Sequence, residues 1–222
     1  MNGTDELASV FWWHSIRLSD GRVTPGAKTI DCLNREFNLT FGPLNLTGKS
    51  VLDAGAWNGA FSVEAHRRGA SRVVGLDHAT WNNPELHGRA SFEMAARLCN
   101  APLEAVDQNL DAPQLSLRHL GKFDVVLFLG VFYHLVDPIA ALRELASIAN
   151  EALVLETHLE KTSSENVPSM VFYPTNELNG DGSNWWGPNR LAVEKLLNLF
   201  GFPKVVYSDG SDPARGVFHA YR

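Results

Sequence analysis

The sequence predicts a single α/β domain built around a mostly parallel β-sheet. Short runs of apolar, β-branched residues indicate buried strands, and the segments between them have the apolar spacing of helices. The first apolar run ends in the glycine-containing turn "DAGAWNG", residues 53–59, which leads into a helix. Strands that alternate with helices in this way favour a parallel sheet covered on both faces.

The individual elements follow in order along the chain. The predicted strands span residues 50–55, 72–77, 103–107, 123–130 and 151–157, and the predicted helices span about 59–68, 84–99, 137–149 and 189–200. Two helical segments, 4–17 and 25–38, are expected to form a helical cap within residues 1–45, and a hairpin is expected over 204–222. Residues 158–187 are rich in Pro, Asn, Gly and aromatics, and we expect a lid-like insertion there because loops of that length are often functional.

Composition sets limits on the class of protein. The chain has 222 residues, 45% of them apolar and 20% charged, which suits one globular domain over residues 1–222. Its formal net charge of −6 disfavours a general polyanion binder. Cys32 and Cys99 fit neither a disulfide framework nor a zinc site. Since we find no signal peptide and no apolar run long enough to span a bilayer, we expect a cytoplasmic protein without membrane contact.

Three acids close three successive predicted strands. Asp53, Asp77 and Asp107 should lie at one edge of the sheet, where ligands of open parallel sheets bind. Asp53 suits an ammonium group, Asp77 suits the two hydroxyls of a ribose, and Asp107 with Gln108 suits an adenine amino group. A ligand with these three parts and no phosphate is S-adenosylmethionine. The alternative is that each acid is only a turn residue or a helix cap.

Trp57 distinguishes this loop from a dinucleotide-binding loop. In the G-x-G-x-x-G fingerprint the second glycine admits a pyrophosphate, and Trp57 stands at that place. We therefore expect no NAD or FAD, and we expect the Trp57 ring to pack beside the loop against the N-terminal segment.

Two longer segments carry a family resemblance. "LDAGAWNGAFSVEAHRRGASRVVGLD" and "FDVVLFLGVFYHLVDPIAALREL" resemble the class I S-adenosylmethionine-dependent methyltransferases, and within them the group of wobble-uridine tRNA methyl- and carboxymethyltransferases. The resemblance implies a Rossmann-like sheet of seven strands in the order 3-2-1-4-5-7-6, with the last strand antiparallel. We expect this protein to lack the N-terminal extension of that group, and we find no match to its donor-binding lysine. We therefore expect ordinary S-adenosylmethionine as the donor and S-adenosylhomocysteine as the product.

The resemblance also implies a set of site residues. Carried over position by position, it puts Gly55 and Gly59 in the cofactor loop, Gly130 on the methionine side and Tyr133 near the donor group. The expected cofactor-binding residues are Asp53, Gly55, Asn58, Gly59, Asp77, His78, Asp107, Gln108 and Gly130.

Candidates for proton transfer lie at the ends of the fourth and fifth strands. "GVFYH" supplies Tyr133 and His134, and "LETH" supplies Glu156 and His158. Histidine has a pKa suited to proton transfer at neutral pH. The alternatives are a histidine that only orders its loop, a solvated His158 and a structural Glu156. We expect no metal, because the HExxH spacing is absent.

Aromatic and polar residues outside the strands are the candidates for acceptor binding. Aromatic faces bind planar rings and cations, although paired tryptophans also occur as a purely structural cap. An arginine here could pair with a carboxylate of the acceptor or remain solvated. The expected acceptor-binding residues are Trp13, His14, Tyr173, Asn176, Trp185, Trp186 and Arg190.

The function predicted from the sequence is methyl transfer to oxygen or nitrogen of a small, planar molecule, by a monomer or homodimer. The first alternative is modification of a tRNA wobble uridine, for which Arg67, Arg68, Arg72 and Arg89 could form one basic patch, although such arginines usually cover a solvated helix face. Nucleic acid is disfavoured as a partner by the acidic composition. Further alternatives are a non-catalytic cofactor-binding module and a NAD-binding protein.

Overall fold

A computed structural model of the chain describes residues 6–162 and 164–222. Within these residues there are five α-helices and nine β-strands. The helices are α1 (Ile30–Phe41), α2 (Ala60–Arg67), α3 (Gly88–Leu98), α4 (Pro138–Ile148) and α5 (Arg190–Leu199). The strands are β1 (Ser50–Ala54), β2 (Arg72–Asp77), β3 (Leu103–Asp107), β4 (Phe123–Leu129), β5 (Ala149–His158), β6 (Met170–Phe172), β7 (Trp186–Pro188), β8 (Lys204–Asp209) and β9 (Arg215–Tyr221).

Seven of these strands form one sheet. Their order is β3-β2-β1-β4-β5-β9-β8, and β6 and β7 form a separate two-stranded sheet. β9 is antiparallel to both β5 and β8, whereas the β1–β2, β2–β3 and β4–β5 pairs are parallel. If β6 and β7 are left out of the numbering, β8 and β9 become the sixth and seventh strands, and the order is the predicted 3-2-1-4-5-7-6 with an antiparallel last strand. The predicted fold class is therefore confirmed.

The chain divides into two compact units, Met1–Asn109 and Leu110–Arg222, which we describe separately. The prediction of one domain over residues 1–222 stays a prediction. In the first unit, α2 contacts β1 and β2, and a cluster that includes Trp12, Val63 and Ala95 forms part of the core. In the second unit, α4 contacts β4 and β5, and α5 contacts β8 and β9.

The helix expected over residues 4–17 is wrong for the described part of that range; residues 4 and 5 lie outside the described residues. Only a three-residue 3₁₀ turn, Leu7–Ser9, is present. The backbone of 13–18 bonds instead to residues 22–28: the Lys28 N–H donates to the Trp13 carbonyl at 2.7 Å, and the Leu18 N–H donates to the Arg22 carbonyl at 2.8 Å. Trp12 and Ile16 are buried from this extended backbone, so the burial of apolar residues in this segment does not require a helix.

The second N-terminal helix begins later than expected. Thr29 caps α1, its side chain accepting a hydrogen bond from the Cys32 N–H, so the helix starts at Ile30 rather than at residue 25. The helix expected over 84–99 likewise starts at Gly88. The insertion over 158–187 contains β6 and the first residues of β7, and its role as a lid stays a prediction.

None of the described helices combines the length and the apolar character that a membrane crossing needs.

Candidate functional site

The turn after β1 requires its glycines. Gly55 and Gly59 have φ of +90° and +79°, in the left-handed region that side chains disfavour. A Cβ at Gly59 would lie 2.8 Å from the Phe92 ring, and one at Gly75 on β2 would lie 2.4 Å from the same ring. Phe92 of α3 therefore packs directly against the loop and the strand beneath it.

Asp53 is a buried carboxylate on β1, only 3% exposed. The Ser62 hydroxyl donates a hydrogen bond to its Oδ2 at 2.6 Å. Burial, together with the negative charge of Asp77, raises the pKa of Asp53 to about 6, although the hydrogen bonds from Ser62 act in the opposite direction. The residues that the structure describes give Asp53 no cationic partner, so its charge is only partly compensated.

Asp77 ends β2 and is 7% exposed. It accepts hydrogen bonds from the Trp57 N–H at 3.0 Å and the Thr80 N–H at 3.1 Å, one on each oxygen. Burial raises the pKa of Asp77, and these hydrogen bonds partly offset the rise. Because a carboxylate has about four acceptor positions, each oxygen retains capacity for a ligand hydroxyl.

Asp107 lies opposite Asp77 in the β2–β3 register but is much more exposed. It bonds to His78 Nδ1 at 2.7 Å and accepts from Asn82 Nδ2 at 3.0 Å. The hydrogen bonds from Asn82 and from His78 lower the pKa of Asp107. The Gln108 side chain donates to the carbonyl of Asn109. These polar groups form an open edge beside the two buried acids.

The Trp57 ring packs against the N-terminal segment, as predicted. It stacks on Trp13 with ring centroids 5.3 Å apart and planes 2° apart, and it also contacts Phe11 and the edge of His14. Trp13 is 38% exposed. Burial, followed by the charge of Lys28, lowers the pKa of His14 to about 3, so this imidazole is neutral at pH 7.

In the second unit, polar side chains converge beside Gly130, the residue after β4. Arg215 of β9 binds both oxygens of Glu156 on β5 and donates from Nη1 to the Tyr133 hydroxyl at 3.1 Å. Its guanidinium also lies over the Tyr133 ring, 4.8 Å from the centroid. A Cβ at Gly130 would lie 3.6–3.9 Å from polar atoms of these three side chains.

The two candidate histidines differ in their surroundings. His134 Nδ1 lies 3.0 Å from the Ser183 carbonyl, so it carries the proton and leaves Nε2 as the acceptor. His158 is 9% exposed and lies edge-on to the Tyr173 ring at 6.5 Å. Burial lowers the pKa of both histidines, and the Arg215 charge lowers that of His158 further. Both imidazoles are therefore neutral at pH 7 and able to accept a proton.

The segment before α5 presents aromatic side chains. The Tyr173 hydroxyl donates to Glu160, and its N–H donates to the Trp185 carbonyl at 2.9 Å. Phe172, half exposed, stacks on Trp185 at 6.2 Å and contacts Trp186 at 5.1 Å. The second unit thus carries its own aromatic surface.

Comparison with known proteins assigns the family. A family model described as a methyltransferase domain matches residues 27–202, well over half of the chain. The chain belongs to this methyltransferase family. Both the family and the S-adenosylmethionine-dependent enzyme class predicted from the sequence are confirmed at this level.

Curated relatives of this methyltransferase include tRNA U34 carboxymethyltransferases. That of Campylobacter curvus (strain 525.92) is 29% identical over 156 residues, which cover 63% of this chain and 48% of the relative. That of Ectopseudomonas mendocina (strain ymp) is 32% identical over 164 residues, which cover 73% and 47% respectively. The chain thus spans about half the length of the curated relatives it matches.

Solved structures of low sequence identity share the fold. The N-terminal domain of EvdMO1, crystallised in the presence of S-adenosylhomocysteine and D-fucose, matches with a TM-score of 0.70 at 20% identity over 100% of this chain and 98% of that one. Magnesium protoporphyrin IX methyltransferase from Synechocystis PCC 6803, with bound S-adenosylhomocysteine, matches with a TM-score of 0.58 at 22% identity over 80% and 76%. The methyltransferase therefore has the class I S-adenosylmethionine-dependent fold.

Some residues expected in the methyltransferase site have other partners. The Asn58 amide is fully used: its oxygen accepts from the Trp13 N–H at 2.8 Å, and its nitrogen donates to the Phe11 carbonyl and to Ser91. Both groups of this side chain bind the protein, and the expected role of Asn58 in cofactor binding stays a prediction. Asn58 joins the loop to the N-terminal segment.

Two further predicted site residues have partners within the protein, and their roles stay predictions. Glu156 is not a free base, because Arg215 binds both of its oxygens. Arg190 already has an anionic partner, because its Nε lies 2.7 Å from Glu194 Oε1. Its guanidinium also lies over the Tyr207 ring, 4.2 Å from the ring centroid. Asn176 is exposed on a bend of the segment before α5.

Arg215 is the residue that the sequence did not reveal. It is the first residue of the last strand, and antiparallel pairing places it opposite His158 at the end of β5. A single arginine at a strand start is a weak signal, since only the register brings it to Glu156. The described residues contain no group of three or more His, Cys, Asp or Glu that could hold a metal ion.

Proposed function

We propose that this chain binds S-adenosylmethionine and transfers its methyl group to oxygen or nitrogen of a small, planar molecule. The observation that carries the proposal is the pair of buried acids, Asp53 and Asp77, at the ends of adjacent strands beside a glycine turn. Burying two neighbouring carboxylates is costly unless a cation or several donors compensate them. An ammonium group at Asp53 and the ribose hydroxyls at Asp77 would supply that compensation.

The residues of the first unit fit this cofactor in chemistry as well as in position. Asp53 would hold the ammonium group, Asp77 the ribose, and the exposed edge of Asp107, His78 and Gln108 the adenine. Trp57 fills the place where a dinucleotide loop needs a glycine for pyrophosphate. When bound, S-adenosylmethionine supplies a methyl group that is already activated on a sulfonium.

The protein's own contribution to the reaction is positioning and proton removal. A hydroxyl or protonated amine acceptor must lose its proton to a base. His134 through Nε2, and His158, are the neutral bases of the second unit, whereas Glu156 is held by Arg215. We assign to one of these imidazoles the role of accepting the proton that the acceptor loses. The Tyr133 hydroxyl lies in the same unit and is a further polar group for binding the acceptor.

Exposed aromatic surfaces support a planar acceptor. Trp13 in the first unit, and Phe172 with Trp185 and Trp186 in the second, offer ring faces suited to stacking. One neighbour of similar fold is named for a planar macrocycle, magnesium protoporphyrin IX.

Titration calorimetry with S-adenosylhomocysteine and with NAD tests the cofactor assignment. We expect S-adenosylhomocysteine to bind with a micromolar or tighter Kd and NAD to give no heat of binding. The reverse result would make this a NAD-binding protein. Binding of S-adenosylhomocysteine, followed by no methyl transfer from labelled S-adenosylmethionine to a panel of phenols and nitrogen heterocycles, would favour a non-catalytic module or another acceptor class.

The similarity to tRNA U34 carboxymethyltransferases supports a second candidate, modification of a tRNA. The surface charge argues against it. Arg68, Arg72 and Arg89 are each paired with a glutamate, at 2.7, 2.9 and 2.6 Å, so these arginines offer little net charge to phosphates.

We accordingly expect no retardation of tRNA in a native gel at low salt. The control is a basic tRNA-binding protein in the same gel. A retarded band that weakens steeply as salt rises would contradict the small-molecule assignment and favour tRNA.

A further inference from the structure

Trp57 holds an unusual backbone conformation in the loop after β1. Its φ is +44°, in the left-handed region, which residues other than glycine adopt only when their surroundings hold them there. In this conformation its N–H donates to Asp77 Oδ2 at 3.0 Å, and its carbonyl accepts from Trp81 Nε1 at 2.8 Å. The conformation of Trp57 therefore determines one of the contacts that orient the Asp77 carboxylate.

The Trp57 ring is held by the N-terminal segment, residues 11–14. Trp13 covers one face in a nearly parallel stack, and His14 approaches with its edge at 6.2 Å. Trp57 Nε1 is buried and has no hydrogen-bond partner among the described residues. The indole is thus held through its ring contacts, of which the Trp13 stack has the shortest centroid distance among those of Phe11, Trp13 and His14.

The same segment is attached a second time, at the next residue of the loop. Asn58 is fully buried and accepts from the Trp13 N–H while donating to the Phe11 carbonyl. The Lys28 N–H donates to the Trp13 carbonyl, which ties the segment to the chain that follows it. Two consecutive loop residues therefore hold one short segment, Trp57 through its ring and Asn58 through its side-chain amide.

We propose that Trp13 is a positioning residue for cofactor binding: its stack on Trp57 keeps the loop in the conformation that presents Asp77 to the ribose. The inference rests on the proposed function, since it assumes that Asp77 binds the cofactor. Trp13 acts through Trp57 and Asp77 and needs no contact with the cofactor itself. Because coupling between two sites is reciprocal, cofactor binding must in turn hold the 11–14 segment more firmly.

The test measures S-adenosylhomocysteine binding without any acceptor, so that a role of Trp13 in acceptor binding does not enter. We expect Trp13→Ala to raise the Kd about three- to tenfold, the range that the loss of one aromatic stack gives. Trp13→Phe, which keeps a ring on Trp57, should restore most of the affinity. Leu199→Ala, which truncates an exposed apolar side chain of α5, should leave the Kd unchanged.

Amide hydrogen exchange supplies a readout that a merely structural role would not move. In the wild-type chain, saturating S-adenosylhomocysteine should slow exchange in the peptide that contains residues 11–16, and in Trp13→Ala this protection should be largely lost. Wild-type binding with an unchanged Trp13→Ala Kd and no added protection of the segment would overturn the inference alone. Failure of the wild-type chain to bind would overturn the proposed function, and the inference with it.

Discussion

Replacing Asp77 by alanine is expected to weaken the binding of S-adenosylhomocysteine by about 100-fold or more. On the proposed assignment, the change removes two charge-assisted hydrogen bonds to the ribose, each worth about 1.5–3 kcal/mol. It also leaves the Trp57 and Thr80 N–H groups without their acceptor, which loosens the loop. Titration calorimetry at pH 7.5 measures the loss directly.

Two further variants make the Asp77 result specific. Asp77→Asn keeps one side-chain acceptor but lacks the charge, so its affinity should lie between those of wild type and Asp77→Ala. Asp31→Ala, on the exposed first turn of α1, is the matched control and should bind normally. An undiminished affinity in Asp77→Ala would remove Asp77 from the cofactor site.

The stability of the free protein is expected to fall as the pH rises through about 6, because of Asp53. The pKa of this group is about 6 in the folded chain, against about 3.9 in an unfolded one. Between about pH 4 and pH 6 folding is therefore accompanied by uptake of a proton. The contribution of Asp53 to the free energy of unfolding is fully present below about pH 4 and is lost as the pH rises through about 6. The shift corresponds to on the order of 3 kcal/mol at pH 8.

Asp53→Asn isolates this effect. At pH 8 the variant should be more stable than wild type by about 1–3 kcal/mol, and at pH 4 the two should be nearly equal, as measured by urea unfolding. The same variant should bind S-adenosylhomocysteine more weakly, because it lacks the charge for the ammonium group. Asp31→Asn controls for loss of a surface charge; equal stability of Asp53→Asn and wild type at pH 8 would contradict the argument.

Much of the fold was predictable because its signals are local. The strands that contain Asp53, Asp77 and Asp107 are short apolar runs followed by polar turns, and their positions differ from prediction by one residue at most. The last helix and the hairpin were equally clear, since Gly201 and the turn-rich 208–216 mark their ends. The acids and the glycine turn alone indicated the ligand class.

The features that could not be predicted depend on contacts between distant parts of the chain. The apolar residues of 13–18 are spaced as in a helix, but the backbone of this segment makes hydrogen bonds to residues 22–28. No local sequence pattern indicates these partners. The Asn58 amide binds a segment more than forty residues earlier, and no local pattern indicates those partners. The pairing of Glu156 with Arg215 depends on the register between β5 and β9, which the sequence around either residue does not indicate.

Phe92 of α3 has a consequence for how this sequence can vary. A Cβ at Gly75 would come within 2.4 Å of the Phe92 ring and within 3.1 Å of Ala56, although Gly75 has no need of a left-handed backbone. Position 75 therefore requires glycine because of the size of the Phe92 side chain, seventeen positions later in the chain. An alanine at position 75 should be tolerated only when residue 92 is smaller than phenylalanine. As the family diverges, we therefore expect substitution at position 92 to come before substitution at position 75.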